Sequence, residues 1–175
     1  MEGAELIRLA LQRVNQILNR SLDGAPVDML CRMPTPHTNS MAWLTWHLTR
    51  VQDDHVSGLA GLPELWAGGE WNNGFGMDHN DERTGQGDSF EEVGAFKLES
   101  AETLLAYQDA AFERSTKYLS TLKPDDLNRE LNEPQYDPLP TVGVRLVSVV
   151  SDNTQHAGQV AYLRGYFEKK VFGRA

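Results

Sequence analysis

Thr141-Val-Gly-Val-Arg-Leu-Val-Ser-Val-Val-Ser-Asp152-Asn-Thr-Gln-His156-Ala-Gly-Gln159-Val160 is the stretch on which the fold turns. Its first half is rich in β-branched residues, and Val142 to Val150 on its own fits a strand. The apolar pattern, however, runs on through residues 153–164 with no breaker other than Gly158. A strand does not sustain that length, so the spacing predicts one long helix, capped by Thr141 and reaching about Lys169. Val144, Leu146, Val147, Val150, Ala157, Val160 and Leu163 are its apolar positions. Asp152, His156 and Gln159 form a polar line at helical spacing, flanked by Val149, Val150, Val160 and Leu163. A polar line inside an apolar face is costly unless something satisfies it. Residues four apart on a helix stand one turn apart on one face, so Asp152 and His156 present a carboxylate oxygen and an imidazole nitrogen side by side. These are good ligands for a borderline divalent metal.

Working outward, residues 2–19 carry Leu6, Leu9, Ala10, Val14, Ile17 and Leu18 at 3–4 spacing, a first helix stopped by Asp23-Gly24. Pro26, Pro34 and Pro36 mark an irregular connection. Thr38-Asn39-Ser40 supplies N-caps for a second helix, predicted from Met41 to about Ser57 and ending at Gly58, with Leu44, His47, Leu48 and Val51 on one face. Gly58 to Ser89 is a long connection rich in Gly, Trp and Asn, a length associated with functional or crossover segments. Ser89-Phe-Glu-Glu92 is a capping box that opens a helical region reaching about Leu122, with a break near Ser100. There is no convincing strand pair, repeat or low-complexity tract. The expectation is an all-α four-helix bundle, residues 1–175 forming one domain, with the crossover between the second and third helices.

The 175 residues suffice for one buried core. A formal charge of -9 argues against nucleic-acid partners, which require a basic surface. Cys31 is the one cysteine, so no intrachain disulfide forms. The N-terminus lacks the basic and apolar regions of a signal peptide, and no apolar run approaches the roughly 20 residues of a membrane span. The expected location is cytoplasmic, with no membrane partner.

A bundle can bring His47 opposite Asp152 and His156, and three protein ligands with open positions make a reactive metal centre rather than a structural one. The other reading of each is ordinary: a hydrogen-bonded core histidine and a solvated helix pair. Asp54 is a candidate acceptor behind a ligand imidazole, or half of a solvated Asp53-Asp54 pair, the reading slightly preferred. Gln159 is a candidate hydrogen-bond partner behind the ligands. Arg50 and Arg164 are candidate anchors for an anionic ligand, with surface roles at least as well supported. His37 and His79 fall in loops, and His55 lies two turns beyond His47. Trp66 and Trp71 are candidates for an aromatic lid, whereas Trp43 and Trp46 read as packing residues.

Through Asn39-Ser-Met-Ala-Trp43-Leu-Thr-Trp-His47-Leu-Thr-Arg50-Val-Gln-Asp-Asp54-His55, Thr141-Val-Gly-Val-Arg145-Leu-Val-Ser and Asp152-Asn-Thr-Gln-His156-Ala-Gly-Gln159, the whole chain resembles the DinB/YfiT-like family of metal-binding four-helix bundles. In that family one histidine of the second helix joins an i, i+4 pair on the last; His47, Asp152 and His156 match those positions. Many members carry histidine where this chain has Asp152; relatives of mycothiol-dependent maleylpyruvate isomerase carry a carboxylate. The resemblance implies an up-down-down-up bundle, often a homodimer, and a divalent metal, commonly zinc or nickel. It also implies an S-transferase that joins a low-molecular-weight thiol such as mycothiol or bacillithiol to a small electrophile. Two alternatives stay open: a hydrolase whose nucleophile is metal-bound water, and a non-catalytic small-molecule-binding or stress protein.

Overall fold

A computed structural model describes residues 1–68, 71–77 and 83–170. Four long helices form the molecule: α1 (Gly3–Leu22), α2 (Met41–Ala60), α3 (Ala101–Leu119) and α4 (Val142–Glu168). Among the described residues there is no strand, only an isolated bridge between Glu130 and Thr141. The β-branched run at the start of α4 is helical because its buried members, Val142, Leu146 and Val149, recur at 3–4 spacing against α1 and α3.

Side-chain pairs fix the direction of each helix. Asn15 bonds Asp109, while Leu11 packs with Leu119, so α1 and α3 are antiparallel. Thr49 bonds Gln108 and Gln52 bonds Ser115, so α2 and α3 run in parallel. Asn153 bonds Gln52 and Arg145 reaches His55, which makes α4 antiparallel to α2. Arg164 donates to the Ser21 carbonyl, so α4 runs with α1. The result is the expected up-down-down-up order. The parallel α2–α3 pair is what demands the long crossover, since helices running the same way cannot be joined by a tight turn.

Helix ends follow local chemistry. Ser40, Ser100 and Thr141 cap α2, α3 and α4 through their hydroxyls, and Ser89 with Glu92 forms the expected capping box ahead of a short helix, Phe90–Ala95. Two expected ends move outward. The first helix continues to Leu22 because Leu18 and Leu22 are both buried, extending the stripe by a turn. The second runs through Gly58 to Ala60, and Gly61, with φ 66°, supplies the left-handed residue that ends it. Some stripe positions also move: Leu6 is exposed, as are Val144 and Val147, while Leu11, Leu22 and Val149 carry the core.

The described parts of the connection that follows α2, residues 61–68, 71–77 and 83–88, include short helical turns at Leu65–Gly68 and Trp71–Gly74. Trp66 is no lid: it is buried between Trp46, Phe75 and Tyr107, and Trp71 is half-buried beside Tyr107. The crossover is therefore pinned to the bundle by aromatic packing. No described helix is long and apolar enough to cross a membrane.

Candidate metal centre

His47 projects from the middle of α2, and Asp152 with His156 from the facing turns of α4. One ligand atom from each lies within 4.8 Å of the others. Asp152 Oδ1 stands 3.4 Å from His156 Nε2 and 3.9 Å from His47 Nε2. Ligands held at about 2.1 Å around a tetrahedral ion are themselves about 3.4 Å apart, so a small inward adjustment would close the set on a cation.

Hydrogen bonding fixes which nitrogens face inward. His47 Nδ1 is 2.6 Å from the Thr84 carbonyl, which can only accept, so Nδ1–H donates and Nε2 keeps its lone pair for the centre. His156 Nδ1 stands 2.8 Å from Gln159 Oε1, an acceptor, and its Nε2 is turned to Asp152. With both Nδ1 positions engaged as donors, the three atoms that face one another are all acceptors. Such a cluster is repulsive unless an electrophile, a proton or a metal ion, stands among them. Asp152 Oδ2 adds to the imbalance: it is buried and accepts no hydrogen bond from the described residues. The residues present fit a divalent cation.

Electrostatics agree with this picture. Burial pushes His47 below the usual histidine range, opposed by the Thr84 carbonyl and by Asp152. His156 is lifted above it, chiefly by the hydrogen bond to Asp152, which is the proton's way of relieving the acceptor cluster. Nitrogen and oxygen donors of this kind suit zinc, nickel, iron and manganese to differing degrees.

Other candidates occupy different places. Gln159 lies directly behind His156. Asp54 is half-buried beside His55, its Oδ2 3.4 Å from His55 Nδ1, so the acceptor behind His47 is the Thr84 carbonyl and not Asp54. His55 belongs to a separate charged cluster with Arg145 and Glu133. Arg50 is 1% exposed and is not presented to a ligand. It pairs with Glu64 at 2.5 Å and Asp53 at 3.7 Å and lies over the Trp66 ring. Arg164 is engaged by Glu168 at 2.7 Å. His37 packs edge-on to Phe90, and His79 falls outside the described residues. Trp43, expected only to pack, stacks on the His47 ring at 4.9 Å and 11°.

Two residues beside the centre, Thr84 and Gly85, and one behind it on α2, Asp53, have roles that the sequence pattern does not mark. Thr84 acts through its carbonyl, for which no side-chain signal exists. Gly85, at φ 91°, lets the chain lie against the centre: a Cβ there would stand 2.8 Å from Trp46, 2.9 Å from Trp43 and 3.2 Å from His47 Nδ1. Asp53, expected to be solvated, is 1% exposed and accepts from Ser57, Leu65 N, Trp66 N and Tyr107. The profile of the DinB superfamily matches residues 10–160.

The chain belongs to the DinB superfamily. The crystal structure of the conserved protein of locus from Enterococcus faecalis has the same architecture, with a TM-score of 0.88 and 28% identity over 97% of this chain and 99% of that one. No functionally curated protein matches the chain. Within this DinB-superfamily bundle, His47, Asp152 and His156 converge between α2 and α4 as a possible metal site.

Proposed function

We propose that this DinB-superfamily protein is a metal-dependent S-transferase that joins a low-molecular-weight thiol, of the mycothiol or bacillithiol kind, to a small electrophile. The observation that carries the reading is the set of three inward-facing acceptors, His47 Nε2, Asp152 Oδ1 and His156 Nε2, with no fourth protein ligand among the described residues. When bound, zinc or nickel supplies Lewis acidity that brings a thiol, whose free pKa is near ~8.5, to its thiolate form at neutral pH. His47 and His156 hold their lone pairs toward the cation because Thr84 and Gln159 take the opposite ring protons. Asp152 supplies the negative charge that offsets part of the cation's. The new bond is S–C, the bond broken joins carbon to its leaving group, and the thiol proton passes to solvent. No protein nucleophile is required, which suits a chain whose single cysteine, Cys31, packs against the core and is not among the three clustered ligands.

Two further parts belong to the same reading. A homodimer is supported by the exposed Val144 and Val147 on α4 with Tyr136 and Leu139 nearby, an apolar face that a second copy would cover. A cytoplasmic location accords with a reduced thiol as co-substrate.

The test is turnover of 1-chloro-2,4-dinitrobenzene and monobromobimane by zinc- or nickel-loaded protein with mycothiol, bacillithiol or glutathione. Thiol conjugation that requires the metal and is lost in His156→Ala supports the proposal. Metal-dependent ester hydrolysis without thiol would replace it with a hydrolase. Absence of both activities would favour a binding protein.

A further inference from the structure

Residues 83–88 form a strap over the candidate metal centre, and Arg83, Thr84 and Asp88 fasten it to α2. The Thr84 carbonyl takes the His47 Nδ1 proton at 2.6 Å. The Arg83 carbonyl, one residue earlier, takes the Arg50 Nε–H at 3.2 Å. Asp88 accepts the Trp43 indole N–H at 3.0 Å and lies 3.5 Å from the Arg83 guanidinium. Trp43, His47 and Arg50 are spaced at i, i+4 and i+7, so one face of α2 meets one strap.

Arg50 is fixed from behind. Glu64 at 2.5 Å and Asp53 at 3.7 Å hold its guanidinium, and the Tyr107 hydroxyl is 3.4 Å from Nη1. A buried guanidinium held on several sides has few rotamers left, so its Nε–H points one way. That direction is the carbonyl that precedes Thr84.

We propose that Arg50 is a positioning residue for the metal centre: by holding the Arg83 carbonyl it places the Thr84 carbonyl on His47 Nδ1 and so keeps His47 in the tautomer whose Nε2 lone pair faces Asp152 and His156. Free neutral imidazole has no such constraint. If the strap lifts, His47 can carry its proton on Nε2, and the centre then meets an N–H where a ligand lone pair is needed. Gly85 gives the arrangement its clearance, since a side chain there would press on Trp43, Trp46 and His47 together. The burial of a charged arginine beneath the strap, otherwise an expensive way to fasten a loop, acquires a purpose. The proposal rests on the metal reading for its consequence, but its first step concerns the metal-free protein and is tested there.

The experiment is long-range 1H–15N correlation of the histidine rings in metal-free protein, held well above the histidine titration range, with His47 assigned by His47→Gln. Wild type should show His47 as the Nδ1–H tautomer. Arg50→Gln should shift it to a mixture containing the Nε2–H form and weaken zinc binding by about tenfold or more, the usual scale for loss of an outer partner. If Arg50→Gln does not fold, Arg50→Lys keeps a cation for Asp53 and Glu64 but lacks the Nε–H donor, and the same tautomer change is expected. A folded variant with unchanged His47 tautomer and unchanged zinc affinity overturns the proposal. Wild type that holds the Nδ1–H tautomer but binds no zinc would instead remove the metal reading and leave the positioning role of Arg50 standing.

Discussion

Two carboxylates in this bundle make an instructive pair. Asp53 on α2 and Asp152 on α4 are the same group in helices that pack together, yet their surroundings are opposite. Asp53 accepts from the Ser57 hydroxyl, the backbone of Leu65 and Trp66, and the Tyr107 hydroxyl, with Arg50 and Arg114 close by. Asp152 has one oxygen buried without a donor among the described residues and the other facing two imidazole nitrogens. A carboxylate whose lone pairs are all answered holds a fold together. One left unanswered in a packed interface is kept for something that arrives later.

The comparison breaks most visibly at Asp53. Asp53→Ala leaves the buried Arg50 with Glu64 as its remaining carboxylate partner and removes the acceptor for Leu65 N, Trp66 N and the Tyr107 hydroxyl that anchors the crossover, so unfolding in urea should show a loss of about 3–5 kcal/mol. A loss near zero would mean the crossover is held by aromatic packing alone. Next in size is Gln159→Ala, which frees His156 Nδ1; zinc affinity should fall by about 10–100-fold, or ~1.4–2.8 kcal/mol, with the midpoint of metal-free unfolding little changed. Ser40→Ala removes the hydroxyl that caps α2 at Trp43 N, 3.2 Å away, and should cost about 1 kcal/mol of stability while leaving zinc affinity alone. The smallest effect sharpens the contrast: Asp152→Asn in metal-free protein held well above the histidine titration range, where His156 carries no proton for Asp152, should leave stability unchanged or raise it, because it exchanges an unanswered carboxylate for a neutral amide. Destabilisation on the scale of Asp53→Ala would show that Asp152 is a structural residue after all.

What could be read from the chain follows the range of the forces involved. The four helices were legible because caps and periodicity are local: Ser40, Ser89 with Glu92, and Thr141 mark their starts in the sequence and in space. His47, Asp152 and His156 were legible because i, i+4 spacing on α4 and a polar residue on the buried face of α2 are helical-surface patterns. The burial of Asp53 and Arg50 was not legible. Its cause is the crossover folding back over α2, a contact made by the backbone of residues 65, 66 and 83 that leaves no trace in side-chain type. Thr84 was hidden for the same reason. Trp66 looked like a loop tryptophan, and only the aromatic cluster around Tyr107 explains why it is interior.

The central claim is that His47, Asp152 and His156 together hold a divalent cation. Its most direct test is zinc titration, by competition with a chromophoric chelator, of protein prepared without an affinity tag and stripped of metal, comparing wild type with His156→Ala. One equivalent bound by the wild type, with affinity lost in the variant, is the predicted result. No zinc bound by wild type, or equal binding by both proteins, would contradict the account.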